Sequence, residues 1–181
     1  LRALSRNIFS GEIVQGGSTI TQQVVKSLLL SPEKSFTRKI REAILAYKIE
    51  KYLTKEEILF LYLNQIYLGH GAYGVAAAAE NYFGKTIEEL NIAESALLAG
   101  LPQAPSKSSP YHHPQQAKKR QVYILNRMAE EGFISTNEAI KAAQPPYVLR
   151  SREVGAIHEL PLQSKALHFV EHIRRYIEEK Y

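Results

Sequence analysis

Five times along this chain a Thr, Asn or Ser is followed three residues later by Glu or Gln: Thr19/Gln22, Thr54/Glu57, Thr86/Glu89, Asn91/Glu94 and Ser135/Glu138. At that spacing the first side chain accepts from a backbone N–H in the first helical turn. The second reaches back to the first residue's own N–H. The signal commits most of the chain to helices with defined starts, with two short turns expected from Thr86 and Asn91, and Pro32, Gly69, Gly84, Gly100, Gly132 and Pro145-Pro146 supply stops. Between starts and stops the apolar residues recur at three and four positions, the helical period. Ile20, Val24, Val25, Leu28 and Leu29 mark one face. A helix is expected from about Phe36 to Leu53 with Ile40, Ala43, Ile44 and Tyr47 inward, then one through Ile58, Leu61, Tyr62 and Ile66 to Gly69. "VAAAAENYFG" reads as a small-residue helix, and further helices are expected at 114–131 and after Ser135. Leu1, Leu4, Ile8 and Phe9 form a short amphipathic start broken by Gly11, and Phe169, Val170, Ile173, Tyr176 and Ile177 mark a last helix. Residues 101–114 read as a Pro/Ser-rich loop and 147–166 as a linker. No segment alternates with period two, so the fold class is all-α.

Composition narrows the chemistry. The chain has 181 residues, 45% of them apolar, enough for one domain with a core. It has no Cys, which excludes disulfides and thiolate chemistry. All 18 acidic residues are Glu, which excludes an Asp-built metal cage or an Asp-containing triad from these residues. No apolar run reaches the ~20 residues of a spanning helix, and Leu1 opens no signal peptide. The chain reads as a segment of a longer protein. Between Lys26 and Lys55 there are eight basic and three acidic residues, so the whole formal charge of +5 sits in this window. Two readings stand for it: a solvated helix face, or a site for phosphate, nucleic acid or lipid headgroups.

The stretch "QGGSTITQQVVKSLLL" concentrates this question. Ser18, Thr19 and Thr21 lie where a helix start offers backbone N–H groups and a positive dipole end to an anion. Gln22 and Gln23 carry amides suited to sugar hydroxyls, and Lys26 lies one turn beyond Gln22. A well-capped core helix accounts for the same residues.

The motifs "GGSTITQQ" at 16–23, "RKIRE" at 38–42, "YLNQIYLGHGAYGVAAAAENYFGK" at 62–85 and "AESALLAGLPQAPS" at 93–106 resemble the family 51 peptidoglycan glycosyltransferase domain of class A penicillin-binding proteins. "KKRQVYILNRMAEEGFIS" and "HFVEHIRRYIEEKY" resemble the segments that follow in that family. The resemblance implies a lysozyme-like helical domain with a large lobe and a smaller membrane-facing jaw. It would occupy residues 1–146, with 147–181 leading toward a transpeptidase domain not in this chain. It implies polymerisation of lipid II by inverting β-1,4 transfer, with the growing lipid-linked strand as donor and a lipid pyrophosphate as leaving group. The implied partners are lipid II, that strand and the membrane surface, with no nucleic acid. The implied place is the outer face of the bacterial cytoplasmic membrane, held by an anchor outside this chain.

Lys26, Lys39 and Glu42, with the basic positions Lys34 and Arg41, carry over from the family most directly; Arg38 joins them as a phosphate-gripping guanidinium. Glu42 matches the family's second carboxylate, which assists the leaving group or orients a divalent cation (Mg2+ or Mn2+) on the pyrophosphate. The bland reading of Glu42 is an ion pair with Arg38 four residues back, worth ~0.2–0.5 kcal/mol on an exposed face. Asn64 is a weaker substrate-binding candidate, suited more to tying helix ends together. Tyr67 and Tyr73 suit either stacking on sugars or filling the core, and Glu80 is expected to pair with a cation or an N–H. His70, His112 and His113 form no metal-like constellation, and the last two are expected to face solvent. The stripe at Leu1–Phe9 suits either a polyprenyl tail or a core.

One departure matters. The family's general base sits in a Glu-Asp-x-x-Phe-x-x-His-x-Gly motif, which is absent from these 181 residues, and Glu12 does not match it. Such a base contributes typically ~10²–10⁴-fold, so these residues alone are expected to be inactive or nearly so. Two other function classes compete with the polymerase: a non-catalytic helical scaffold binding membranes or other anions, and a lysozyme-like hydrolase. The cationic window speaks against the hydrolase, whose leaving group carries no phosphate. Strong salt-dependent binding to mixed-sequence DNA would favour a nucleic-acid module instead.

Overall fold

A computed structural model describes residues 18–29, 36–144 and 147–150 of the chain. Leu1–Phe9, Glu12, Pro32, Lys34, Pro145-Pro146, the 151–166 part of the linker and the last expected helix lie outside the described residues. Among the described residues there are seven α-helices, and pairing of the strand type is limited to one isolated bridge. These residues divide into two compact units, one up to Tyr62 and one from Leu63 onward.

The first unit holds α1 (Ile20–Leu29), α2 (Phe36–Tyr52) and most of α3 (Lys55–Gln65). Both expected caps form. The Thr19 hydroxyl accepts from the Gln22 N–H at 3.1 Å while the Gln22 side chain accepts from the Thr19 N–H at 3.3 Å. Thr54 and Glu57 repeat the exchange at 3.2 and 2.7 Å. Val24, Val25, Ala46, Ile49, Ile58 and Leu61 form the core, with Leu28, Leu45, Leu53 and Tyr62 packed around it.

On α2 the inward face differs from the expected one. Ile40, Ala43, Ile44 and Tyr47 are exposed, and the buried positions are Glu42, Ala46 and Ile49. The helix carries two apolar stripes, and the sparser one packs against Val24, Val25, Ile58 and Leu61. Tyr47 instead lies under the Lys51 ammonium, 4.7 Å from its ring centre. Ile20, expected on the buried face of α1, is exposed as well.

In the second unit the helix ends at Gln65, four residues before the expected stop at Gly69. The chain then doubles back: Tyr67 pairs with Tyr73, Leu68 N–H donates to Ala72 O at 2.9 Å and Gly74 N–H to Ile66 O at 2.9 Å. Gly74 has φ +81°, and a Cβ there would fall 2.6 Å from the Asn64 backbone oxygen. Only glycine fits. From it starts α4 (Val75–Phe83), whose alanines Ala78 and Ala79 are fully buried. Gly84 closes it in the left-handed region, φ +67°.

Beyond it come α5 (Ile92–Gly100), α6 (Pro114–Glu130) and α7 (Thr136–Ala143), with α6 packed against both others. The Asn91/Glu94 and Ser135/Glu138 boxes cap α5 and α7. Glu94, nearly buried, takes the Lys85 ammonium at 2.7 Å, and the buried Gln121 amide donates to Ala93 O at 2.6 Å. The Pro/Ser-rich stretch is ordered by consecutive turns, Ala104 to Leu101, Ser108 to Ala104 and His113 to Ser109. Glu80 meets the expected cation, Arg150 at 2.6 Å, but at the surface rather than buried.

Candidate anion-binding site

Positions 38, 39 and 42 share one side of α2 because residues three and four apart are neighbours on a helix. Glu42 is only 2% exposed, and an isolated carboxylate in such a place would cost several kcal/mol. Here each oxygen faces a cation. Oε2 lies 2.5 Å from the Lys39 ammonium, and Oε1 lies 3.8 Å from Arg38 Nε. Arg38, one turn before Glu42, is mostly covered. Lys39 is not: half of its side chain is in solvent.

The ammonium also donates to the Ser18 hydroxyl at 2.9 Å. It is thereby fixed from two sides, by the residue two places before α1 and by a buried carboxylate. An ammonium has three N–H donors. Among the described residues, two of those of Lys39 are used, by Ser18 and Glu42. What remains is a pinned, half-exposed positive charge with a third N–H unused among the described contacts, next to the start of α1.

The other expected residues are placed as follows. Thr19 and Gln22 cap α1. Gln23 is half-buried on the same helix. Thr21 is buried, and its hydroxyl donates to Glu50 at 2.6 Å, a partner the sequence did not suggest. Lys26 is exposed in the last turn of α1 and Arg41 is exposed on α2; among the described contacts, none joins either to Lys39. Asn64 is exposed and belongs to the second unit. Lys34 lies outside the described residues. Burial raises the Tyr62 phenol above its ordinary value, so this residue of the "YLNQ" motif stays protonated at neutral pH.

The donor set around Glu42 does not fit a resident divalent cation. Both carboxylate oxygens face cationic side chains, and among the described residues no three His, Cys, Asp or Glu side chains converge.

Residues 1–129 match the family described as transglycosylase, and the chain belongs to that family. It is 45% identical over 181 residues to penicillin-binding protein 1A of Aquifex aeolicus, covering 100% of this chain and 24% of that protein. It is 55% identical over 141 residues to penicillin-binding protein 1A of Neisseria flavescens, covering 78% of this chain and 18% of that protein. A putative transglycosylase of Cupriavidus necator is 55% identical over 141 residues, 78% of this chain and 61% of that protein. The fold is similar to the crystal structure of penicillin-binding protein 1A from Haemophilus influenzae, with a TM-score of 0.52 and 32% identity over 88% of this chain and 20% of that one. The chain thus spans a quarter or less of the penicillin-binding proteins it matches. The family expected from the motifs and the helical fold class are both borne out.

Proposed function

We propose that this chain is the glycan-polymerising part of a peptidoglycan glycosyltransferase that uses lipid II. The observation that carries the reading is the half-exposed Lys39 ammonium, held by Ser18 and Glu42. In the reaction, the acceptor sugar's hydroxyl oxygen bonds to the donor's anomeric carbon. The bond from that carbon to the pyrophosphate oxygen breaks, and the proton leaves to a base. Negative charge grows on the phosphate oxygens as the bond breaks, and a fixed cation lowers the barrier without having to reorganise. Lys39 meets that charge, with Ser18 beside it as a hydroxyl donor. Glu42 acts through Lys39, since both of its oxygens already face cations.

Lys26, Lys34 and Arg41 extend the positive field along the lipid pyrophosphate, and Gln22 and Gln23 are assigned to the glycan. Deprotonation is assigned to none of the 181 residues, since none matches the family's base motif. In this reading residues 1–146 are the transferase part, 147–181 lead toward a transpeptidase domain, and the work is done at the outer face of the cytoplasmic membrane. Among the described residues no helix is long and apolar enough to cross that membrane.

The test is an assay with purified lipid II. The full-length protein is expected to lengthen glycan strands and release prenyl pyrophosphate, and the 181 residues alone to run at least ~10²-fold slower. Shortening of preformed glycan would assign a hydrolase instead. Salt-sensitive binding of mixed-sequence DNA without glycan synthesis would assign a nucleic-acid module.

A further inference from the structure

A cavity of about 150 Å³ opens in the second unit, bordered by Tyr67, His70, Pro105, Ser106, Ser109 and His112. It shares no residue with the Ser18, Lys39 and Glu42 cluster. Its walls are held in place from several directions. His70 sits at φ +51°, unusual for a residue with a side chain, between Gly69 and Gly71 at +89° and +74°. In that conformation its Nε2 reaches the hydroxyl of Ser109, 2.8 Å away and almost fully buried. The same hydroxyl accepts from the His112 backbone N–H at 3.3 Å. The His112 ring stacks on His70 at 5.4 Å between centres, inclined by 27°. At the rim stands Tyr67, whose ring lies 4.9 Å from that of Tyr73, both of them exposed. Exposed aromatic rings beside a hollow with a few fixed polar groups have the make-up of a ligand site, here smaller than the ~300 Å³ at which whole-ligand pockets begin and so suited to one ring of a larger molecule.

The lining selects among ligands. It contains no Lys, Arg or Glu, so an ion would give up its hydration without a countercharge. Its two imidazoles find no third metal-ligating group among the described residues. A neutral molecule with hydroxyls on its edge and a C–H face to lay on an aromatic ring meets both conditions. A cavity of about 150 Å³ is the size that takes one six-membered ring.

We infer that this cavity is a saccharide subsite that takes a single neutral pyranose of a glycan, stacked on Tyr67 and hydrogen-bonded by His112 and Ser106. The site stands on its own lining; the choice of an N-acetylglucosamine oligomer as its ligand rests on the glycan function proposed above.

The experiment titrates chitotriose onto the 181-residue chain and follows backbone amide shifts. Saturable shifts are expected at 67–73 and 105–112. Tyr67→Ala and His112→Ala, both at exposed positions, are expected to weaken binding at least ~5-fold each while the melting temperature holds. No saturable shift in these segments, unchanged affinity in both variants, or tighter binding of inorganic phosphate or Zn2+ at the same amides overturns the subsite. Each of those results leaves polymerisation by the full-length protein untouched, whereas loss of polymerisation with chitotriose binding intact counts against the transferase reading alone.

Discussion

Replacing Glu42 by Gln in the full-length protein is expected to lower lipid II turnover by at least ~10²-fold, the loss typical when a fixed partner of developing charge is disabled. Gln keeps the shape of the side chain but loses the charge that draws the Lys39 ammonium to 2.5 Å. The freed ammonium relaxes into solvent, where half of its side chain already lies, so the fold loses little. The asymmetry with Lys39→Ala is informative. That change leaves a carboxylate at 2% exposure with Arg38 as its remaining described cation at 3.8 Å, and about 3 kcal/mol of stability is expected to go with it. Near-normal turnover by Glu42→Gln, measured as glycan produced per enzyme, would reduce the pair to a structural contact.

The largest expected effect on stability lies at Gly74. Its φ of +81° with ψ of 159° is a region open essentially to glycine, and an added Cβ would sit 2.6 Å from a backbone oxygen, which cannot swing aside. Gly74→Ala is expected to cost about 3 kcal/mol or more, a fall of roughly 6–12 °C in melting temperature for a domain of this size. Gly71→Ala is the control: φ is +74° there too, but nothing lies within 4 Å of the added carbon, so about 1 kcal/mol is expected. Thermal unfolding of the two variants side by side checks this. Equal losses would mean that the close approach to Asn64 carries no weight.

Helix starts were the most legible part of the sequence, because a capping box is a local exchange between residues three apart. Thr19/Gln22, Thr54/Glu57, Asn91/Glu94 and Ser135/Glu138 all form both of its bonds. At Thr86/Glu89 the return bond from the Thr86 N–H to Glu89 forms, but the residues after it make a turn and no helix starts there. The α2 face was misjudged because periodicity says that a stripe exists, not which of two stripes meets the core. Ile40, Ala43, Ile44 and Tyr47 form the denser row, yet Ala46 and Ile49 are buried, with Glu42 beside them. No hydropathy pattern points a carboxylate inward; it takes the charges of Arg38 and Lys39 in the same two turns to make that place tolerable.

Contacts between distant residues were illegible for a different reason. Thr21 and Glu50 are 29 positions apart, and His70 and Ser109 are 39 apart. Neither pair carries a local signature, although a His between two glycines was a hint of unusual backbone. The helix end at Gln65 was also hidden, since the stop is made by pairing of Tyr67 with Tyr73 and not by Gly69 itself.

The central claim concerns Lys39 and a pyrophosphate, so equilibrium binding of a prenyl pyrophosphate to the full-length protein and to its Lys39→Gln variant tests it most directly. A hydrogen bond from a charged donor is worth about 1.5–3 kcal/mol, and the variant is predicted to bind at least ~10-fold more weakly, with a shallower dependence on salt. Equal affinity in the variant, measured at a temperature where both proteins are folded, would contradict the assignment of this ammonium to the departing diphosphate.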